Sequence, residues 1–468
     1  MSQRIVIVGG GPAGYEAALV AAELGADVRV VADEGLGGNC VLWDCVPSKA
    51  LIVAAEAMGW LETATTMGVD AFGRPGVTAG PPHINFPKVA AHVLELGASQ
   101  SVDIERRVAD AGVTVIRGRG RLTDSHQVAV TSADASTHTL SADYVLIATG
   151  SYARVLPFFQ PDGERVLVGQ QVYGLTELPE HLIVVGSGAT GAEFAHAFRR
   201  FGSRVTLVSS RQLILPTEDP DAAQVIEEVF ERRGMNILRN VRATSVDRDG
   251  ERVIVGLNNG DTVTGSHVLF TVGQVPATGD IGLESRGVVI DNTGAIPVDS
   301  VGRTSTRWIY AAGDVTGGTM LASVAAMQGR IAMWHALGQA VQPIRWDSVA
   351  ATVFTDPEVA TVGRTPEEAE AAGFPVTTAR LDFRRNPRAK MIHGLDGFVK
   401  VHAMVGSGTI VGGVVVSSRA SDLIQPLAVA VQNRLTVQQF AQTMTVYPSM
   451  AGSVAEAARM LMTRFDQH

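Results

Sequence analysis

The chain has 468 residues, of which 46% are hydrophobic and 18% charged, with 50 glycines and a formal net charge of -9. The acidic balance excludes a nucleic-acid binder, which needs a basic face, and no apolar run reaches the ~18 residues that span a bilayer. The length predicts about three domains of roughly 150 residues each, and the start MSQRIVIVGG enters a strand without a signal-like segment, which predicts a cytoplasmic protein.

From Arg4 to Asp33 the pattern is strand, glycine turn, helix, strand: RIVIVGGGPAGYEAALVAAELGADVRVVAD. Gly9, Gly11 and Gly14 form G-x-G-x-x-G after an apolar run and at the opening of a helix, the setting in which this spacing binds a dinucleotide. The free amides of the helix N-terminus hold the pyrophosphate. Ala32, Asp33 and Glu34 stand at the end of the second strand, where an acid binds the ribose, and Asp33 is the choice among them.

The next stretch, GGNCVLWDCVPSKAL, holds the only two cysteines, Cys40 and Cys45. Two intracellular thiols are usually small inert hydrophobes. Here Gly37 and Gly38 permit close backbone approach to a ligand, and Pro47 suits a first helical turn. Cys45 then falls at a helix N-terminus, where the dipole favours a thiolate. The pair reads as a redox couple. In a reducing compartment its disulfide is catalytic rather than a structural staple.

A helix to about Ala64, a Gly- and Pro-rich stretch from Gly68 to Pro82 and a second helix over about Phe86 to Ala111 follow, the last with Val89, Val93, Leu96 and Val102 on one side and Gly97 as a possible break. After three short strand candidates, ADYVLIATGS ends in Thr149 and Gly150 and reads as a strand expected to deliver backbone against a cofactor such as a flavin. The opening pattern then recurs in HLIVVGSGATGAEFAHAFRRFGSRVTLVSS, with Gly186, Gly188 and Gly191 as a second fingerprint, so two dinucleotides are expected. Its second strand ends in Ser209, Ser210 and Arg211 instead of an acid. Loss of the carboxylate removes repulsion against a 2′-phosphate that an arginine pairs with, so NADPH is expected to be accepted alongside NADH.

HVLFTVGQVP makes a second strand-and-glycine exit at Gly273, and Asp314 in WIYAAGDVTGGTMLA is placed to accept hydrogen bonds from a polyol such as a ribityl chain. From about Arg345 the chain alternates strand candidates (ATVFTDPEVATVG, GFVKVHAMV, TIVGGVVVS) with a helix from Ser421 to Asn433 and a helical tail. Strands followed by helices suggest an α+β unit. No motif indicates a metal site.

These motifs, in this order, resemble the flavoprotein disulfide reductases, the family of lipoamide dehydrogenase, glutathione reductase and mercuric reductase, over essentially the whole chain: GGGPAG, GGNCVLWDCVPSKAL, LIATGS, GSGATGAE, YAAGDVTGGTMLA and FTDPEVATVG. The resemblance implies an α/β protein with two Rossmann-like dinucleotide-binding domains and a C-terminal α+β dimerisation domain. FAD would bind to residues 1–155 and 275–345 and NADPH or NADH to 156–274, while 346–468 would form a homodimer. It implies that Cys45 is the charge-transfer thiol against the flavin, that Cys40, with Gly38 beside it, is the interchange thiol, and that Lys49 and Glu193 pair near flavin N5. Asp314 would hold the ribityl chain.

The departures shape the expected activity. Disulfide-reducing members carry His-x-His-Pro-Thr-x-x-Glu near the C-terminus, whose second His is the acid–base for thiol exchange. Here the segment is TVYPSMAG, with Tyr447 in the His position and Gly452 in the Glu position. An imidazole with a pKa near ~6.5 can take the substrate's proton and a phenol near ~10 cannot; losing a positioned base costs about 10²–10⁴-fold. Leu42, Asp44, Gln274 and Gln328 also depart from the family's usual Asn, Gly, Arg and Glu, Asp44 disfavours a thiolate at Cys45, and the ribose acid falls on Ala32 by gapless counting. The expectation is an NAD(P)H oxidoreductase whose acceptor is a quinone-like small molecule. The alternatives are a disulfide reductase using Tyr447 or His393 as base, a transhydrogenase, whose relatives lack the first thiol, and a partner-binding flavoprotein with decayed activity.

Overall fold

A computed structural model describes residues 2–69 and 83–465. The chain divides into two compact units: Met1–Ala50 with Lys88–Val155 and Gly273–Ile344, and Leu51–Pro87 with Leu156–Val272 and Arg345–His468. The Gly- and Pro-rich stretch expected from Gly68 onward lies outside the described residues from position 70 to 82.

The first unit is built on a parallel sheet in the order Ile309–Ala311, Tyr144–Ile147, Arg4–Val8, Asp27–Ala32, Thr114–Arg117. Strand side chains alternate between its faces. Ile5 and Ile7 pack against the helix Pro12–Glu23, while Val6 and Val8 join Leu122, Val128 and Val130 of a three-stranded antiparallel sheet on the other side. Buried on both faces, Ile309–Ala311, Tyr144–Ile147 and Arg4–Val8 are apolar nearly throughout, as parallel sheets require, whereas the edge strand Thr114–Arg117 has no buried residue.

In the second unit, another five-stranded parallel sheet runs Asn236–Leu238, Arg204–Val208, His181–Val185, His267–Phe270, Val166–Val168. The same unit holds an antiparallel sheet ordered Ala350–Val353, Glu358–Gly363, Ile410–Ser417, Phe398–Met404, Val376–Asp382. Its core is shared with Leu427, Val431, Val454 and Leu461 from the C-terminal helices.

Three local readings are corrected. Gly97 does not break its helix, which runs unbroken over Phe86–Asp110. The buried line is Phe86, Ala90, Val93, Gly97, Ser101, Ile104 and Val108, whereas Leu96 and Val102 are exposed. The reason is close approach: a Cβ on Gly97 would lie 2.7 Å from Val41 O, and Ser101 Oγ donates to Leu36 O at 2.6 Å. The helix expected over Ser421 to Asn433 is two, Ala420–Leu423 and Gln425–Asn433, because Pro426 has no N–H to continue the first and suits the opening turn of the second.

Candidate functional site

The two fingerprint turns have one construction. The first strand, Arg4–Val8, leaves through Gly9 at φ 112°, whose N–H donates to Val31 O at 2.8 Å. A Cβ on Gly9 would collide with Ala148 O, and one on Gly14 with Gly9 O; at Gly11 it would meet nothing within 4 Å. The second turn repeats this with Gly186 against Thr271 O, Gly191 against Gly186 O, and open space at Gly188. The outer glycines let backbone pack on backbone, and the middle one faces room for a pyrophosphate. The helices that follow, Pro12–Glu23 and Ala189–Phe201, start at Gly11 and Gly188 without a side-chain cap. Their first N–H groups are therefore presented to a phosphate rather than to a Ser or Asp oxygen. Two dinucleotides fit this donor set.

At the end of the strand Asp27–Ala32, Asp33 is exposed and its carboxylate accepts from Arg119 Nε at 3.3 Å. Its neighbour Glu34 is engaged by Trp43 Nε1 at 2.6 Å, a contact nine residues on that local pattern does not reveal.

The cysteines sit on two successive helices. Gly37, at φ 101°, opens a short helix Gly38–Leu42 that carries Cys40, and Cys45 is the first residue of the long helix Cys45–Thr66, with Lys49 one turn on. Gly37 N donates to Gly10 O at 2.8 Å, and a Cβ on Gly38 would lie 2.9 Å from Gly11 Cα. The opening turn of the helix that carries Cys40 is thereby held directly against the first fingerprint. Asn39 locks the turn between the two thiols, its carbonyl accepting from the Trp43 and Asp44 amides and its Nδ2 donating to Ser151 O at 2.7 Å. Cys40 and Cys45 are half-buried thiols. Donation of the Cys40 S–H to Cys45, burial and the Asp44 charge push the Cys40 thiol well above the ordinary thiol range, against a smaller opposing pull from Lys49.

Thr149 and Gly150 follow the strand Tyr144–Ile147. Thr149 Oγ1 donates to Ala277 O at 2.7 Å, and Gly150 O accepts from Ala277 N at 2.9 Å. Asp314 opens a single 3-10 turn, and its Oδ2 accepts from Ser151 Oγ at 2.7 Å. Gln328 Oε1 accepts the N–H of Gly313 at 2.8 Å, so the amide holds the backbone just before Asp314. Arg154 Nη2 donates to the carbonyl of Gln274 at 3.3 Å, beside Gly273 at φ 103°. Ser151 gave no signal in the sequence, because its partner lies 163 residues away.

In the second unit, Ser210 and Arg211 are exposed just beyond the strand Arg204–Val208. Buried Ser209 shapes this corner: its Oγ pairs with Ser187 Oγ at 2.8 Å and accepts from Arg211 N at 3.1 Å. Glu193, on the helix after Gly188, is buried and accepts from Phe354 N at 2.9 Å. Tyr447 is 83% exposed, between Val446 at 78% and the helix Ala451–Phe465 that contains Gly452. Among the described residues there is no metal-binding cluster of His, Cys, Asp or Glu and no helix long and apolar enough to cross a membrane.

Residues 3–329 match the family model described as pyridine nucleotide-disulphide oxidoreductase, and residues 349–458 match the dimerisation domain of the same family. The chain is 50% identical over 475 residues to an NAD(P)H dehydrogenase (quinone) of Mycobacterium tuberculosis, covering 100% of this chain and 95% of the relative. It is 32% identical over 455 residues to a dihydrolipoyl dehydrogenase of Chlamydia muridarum, covering 97% and 95%. The crystal structure of LpdA from Mycobacterium tuberculosis superposes with a TM-score of 0.93 at 50% identity, covering 98% of this chain and 100% of that one. The chain belongs to the pyridine nucleotide-disulphide oxidoreductases, and as such it is a flavoprotein enzyme that works with FAD and NAD(P)H.

Proposed function

We propose that this enzyme passes reducing equivalents from NAD(P)H to a quinone-like acceptor and is a poor reductant of disulfides. The observation that carries the reading is the segment TVYPSMAG, which offers Tyr447 and Gly452 at the positions where the family resemblance implies an acid–base histidine and its orienting glutamate. A dithiol needs a group that takes its proton at neutral pH, and a phenol does not. A quinone needs none for thiol exchange. The 50% identical relative named as a quinone dehydrogenase supports this reading.

FAD, when bound, accepts hydride from the nicotinamide and hands electrons on. The proposed domains are 1–155 with 275–345 for FAD, 156–274 for NAD(P)H and 346–468 for the homodimer contact. Gly11 gives the flavin's pyrophosphate its room, with Gly9, Gly14 and Gly38 allowing the close backbone packing that shapes that turn; Asp33 serves the ribose, and Thr149, Gly150, Gly273 and Asp314 border the rest of the cofactor. Gly186, Gly188, Gly191, Ser210 and Arg211 take the nicotinamide nucleotide. Lys49 and Glu193 serve hydride transfer, and Cys40 with Cys45 stores an electron pair.

The test is steady-state oxidation of NADPH and NADH by the purified holoenzyme with a soluble benzoquinone, lipoamide and oxidised glutathione. Quinone turnover at least a hundredfold above disulfide turnover is expected. Fast lipoamide turnover would instead favour the second reading, a disulfide reductase with Tyr447 or His393 as its base, for which the 32% identical dihydrolipoyl dehydrogenase argues.

A further inference from the structure

We propose that Asp356 is a positioning residue for Glu193: by gripping Arg200 and Arg233 it fixes a rigid turn whose first amide holds the Glu193 carboxylate. The inference rests on the reading of Glu193 as a residue of hydride transfer.

Glu193, His196 and Arg200 recur at helical spacing on the helix Ala189–Phe201 and share one face of it. That face meets the turn after the strand Ala350–Val353. Phe354 N donates to Glu193 Oε1 at 2.9 Å. Two residues on, the Asp356 carboxylate accepts from Arg200 Nη2 at 2.9 Å and Arg233 Nη2 at 2.6 Å, while Arg233 Nη1 donates to the Asp356 carbonyl at 2.6 Å. Between them Thr355, fully buried, closes the turn with its Oγ1 on Pro357 O at 2.6 Å. The donor to Glu193 thus stands on a loop pinned at both backbone and side chain.

Arg200 also ties this cluster to the long helix that begins at Cys45. Its Nη1 donates to Glu62 at 2.6 Å, and its guanidinium lies so close over Gly59 that a Cβ there would come within 3.0 Å of Cζ. Burial works to raise the Asp356 carboxyl, but Arg233, His196 and Arg200 outweigh it and hold it at about 2. Among the described residues, His196 Nε2 and Arg200 Nε are buried without a hydrogen-bond partner. Neutralising Asp356 leaves two guanidinium groups to rearrange, and the Phe354 amide moves with them.

The test uses the FAD-loaded enzyme and reads the flavin midpoint potential by dye-coupled absorbance titration, with the melting temperature alongside. Removing the Glu193 charge in Glu193→Gln favours reduced flavin about tenfold, or about 30 mV for a two-electron couple. Asp356→Asn is expected to shift the balance in the same direction by at least threefold. The double variant shifts it no further than Glu193→Gln alone, since both act through one carboxylate, and Asp356→Glu recovers at least half of the Asp356→Asn shift. If Asp356→Asn does not fold, Thr355→Val loosens the turn without unpairing a charge and is expected to move the potential in the same direction. A potential that stays fixed while the melting temperature falls, or shifts that add to that of Glu193→Gln, overturns the positioning role and leaves the role of Glu193 intact. An unmoved potential in Glu193→Gln overturns both.

Discussion

Gly14 packs so tightly on Gly9 that a side chain at position 14 would strike the Gly9 carbonyl oxygen, whereas Gly11, three residues earlier, faces open space. The same motif therefore contains one glycine required by the fold and one required by the ligand. Gly14→Ala is expected to cost about 1–3 kcal/mol, the usual range for overpacking, and to lower the melting temperature of the flavin-free protein. Gly11→Ala is expected to leave that melting temperature within a few degrees while releasing FAD, read as loss of visible absorbance after gel filtration. If both variants lose stability equally, the open space at Gly11 is not a cofactor space.

Arg211 is exposed at the corner that Ser209 builds, next to Ser210. A charge-assisted bond from arginine to a 2′-phosphate contributes about 1.5–3 kcal/mol, so Arg211→Glu should lower the NADPH to NADH preference by at least tenfold. The ratio of dissociation constants, measured by titration of each nucleotide, decides it, and an unchanged ratio refutes this assignment.

The Cys40 thiol is pushed up by Cys45, by burial and by Asp44, which makes it a reluctant nucleophile. The double variant Cys40→Ser with Cys45→Ser is therefore expected to retain at least half of the quinone turnover and to take up one fewer pair of electrons per flavin in an anaerobic dithionite titration. Complete loss of turnover would place both thiols on the electron path.

His196 is fully buried, and burial holds its imidazole at about 3, far below an ordinary histidine. With an unfolded value near ~6.5, the unfolded chain binds the extra proton first, so the contribution of His196 to stability falls as the pH drops below about 6.5. From pH 6.5 to 5 that loss is about 2 kcal/mol. His196→Phe should flatten urea-derived stability over this interval by about that amount. His267 and His402 carry burial-lowered values of about 4 and are present in both proteins, so the difference isolates His196. Asp356, held at about 2, acts lower: its contribution is complete above an unfolded value near ~3.9 and is lost as the pH falls toward 2.

Both fingerprints, the cysteine helix and the strand exits at Thr149 and Gly273 were legible because each is written in consecutive residues: a strand period, a glycine where φ is positive, a small-residue helix. The short helix that carries Cys40 was not legible, since five residues give no periodicity. Gly97 was misread because a glycine that lets a helix sit on Val41 O looks, locally, like one that ends a helix. The strand Val376–Asp382 also went unseen, as it is amphipathic only by the company of Phe398–Met404. The Asp356 cluster was beyond reach for the same reason that it matters: Arg233 and Asp356 are 123 residues apart and Arg200 and Glu62 are 138 apart. No pattern in one stretch announces a partner in another.

The first unit is stitched from three separated stretches of chain, and this bears on how the protein is made. On a ribosome the opening strand and helix emerge at once, but the edge strand Ile309–Ala311 that completes their sheet comes far later. Glu16, buried on the first helix, meets Arg107 at 3.5 Å, but its closer partner, Arg330 at 2.6 Å, lies 314 residues downstream. Nascent chains therefore carry a parallel sheet that lacks one edge strand through much of translation. A chain ending before Ile309 would retain both glycine motifs yet lack the strand that closes one edge of the first sheet.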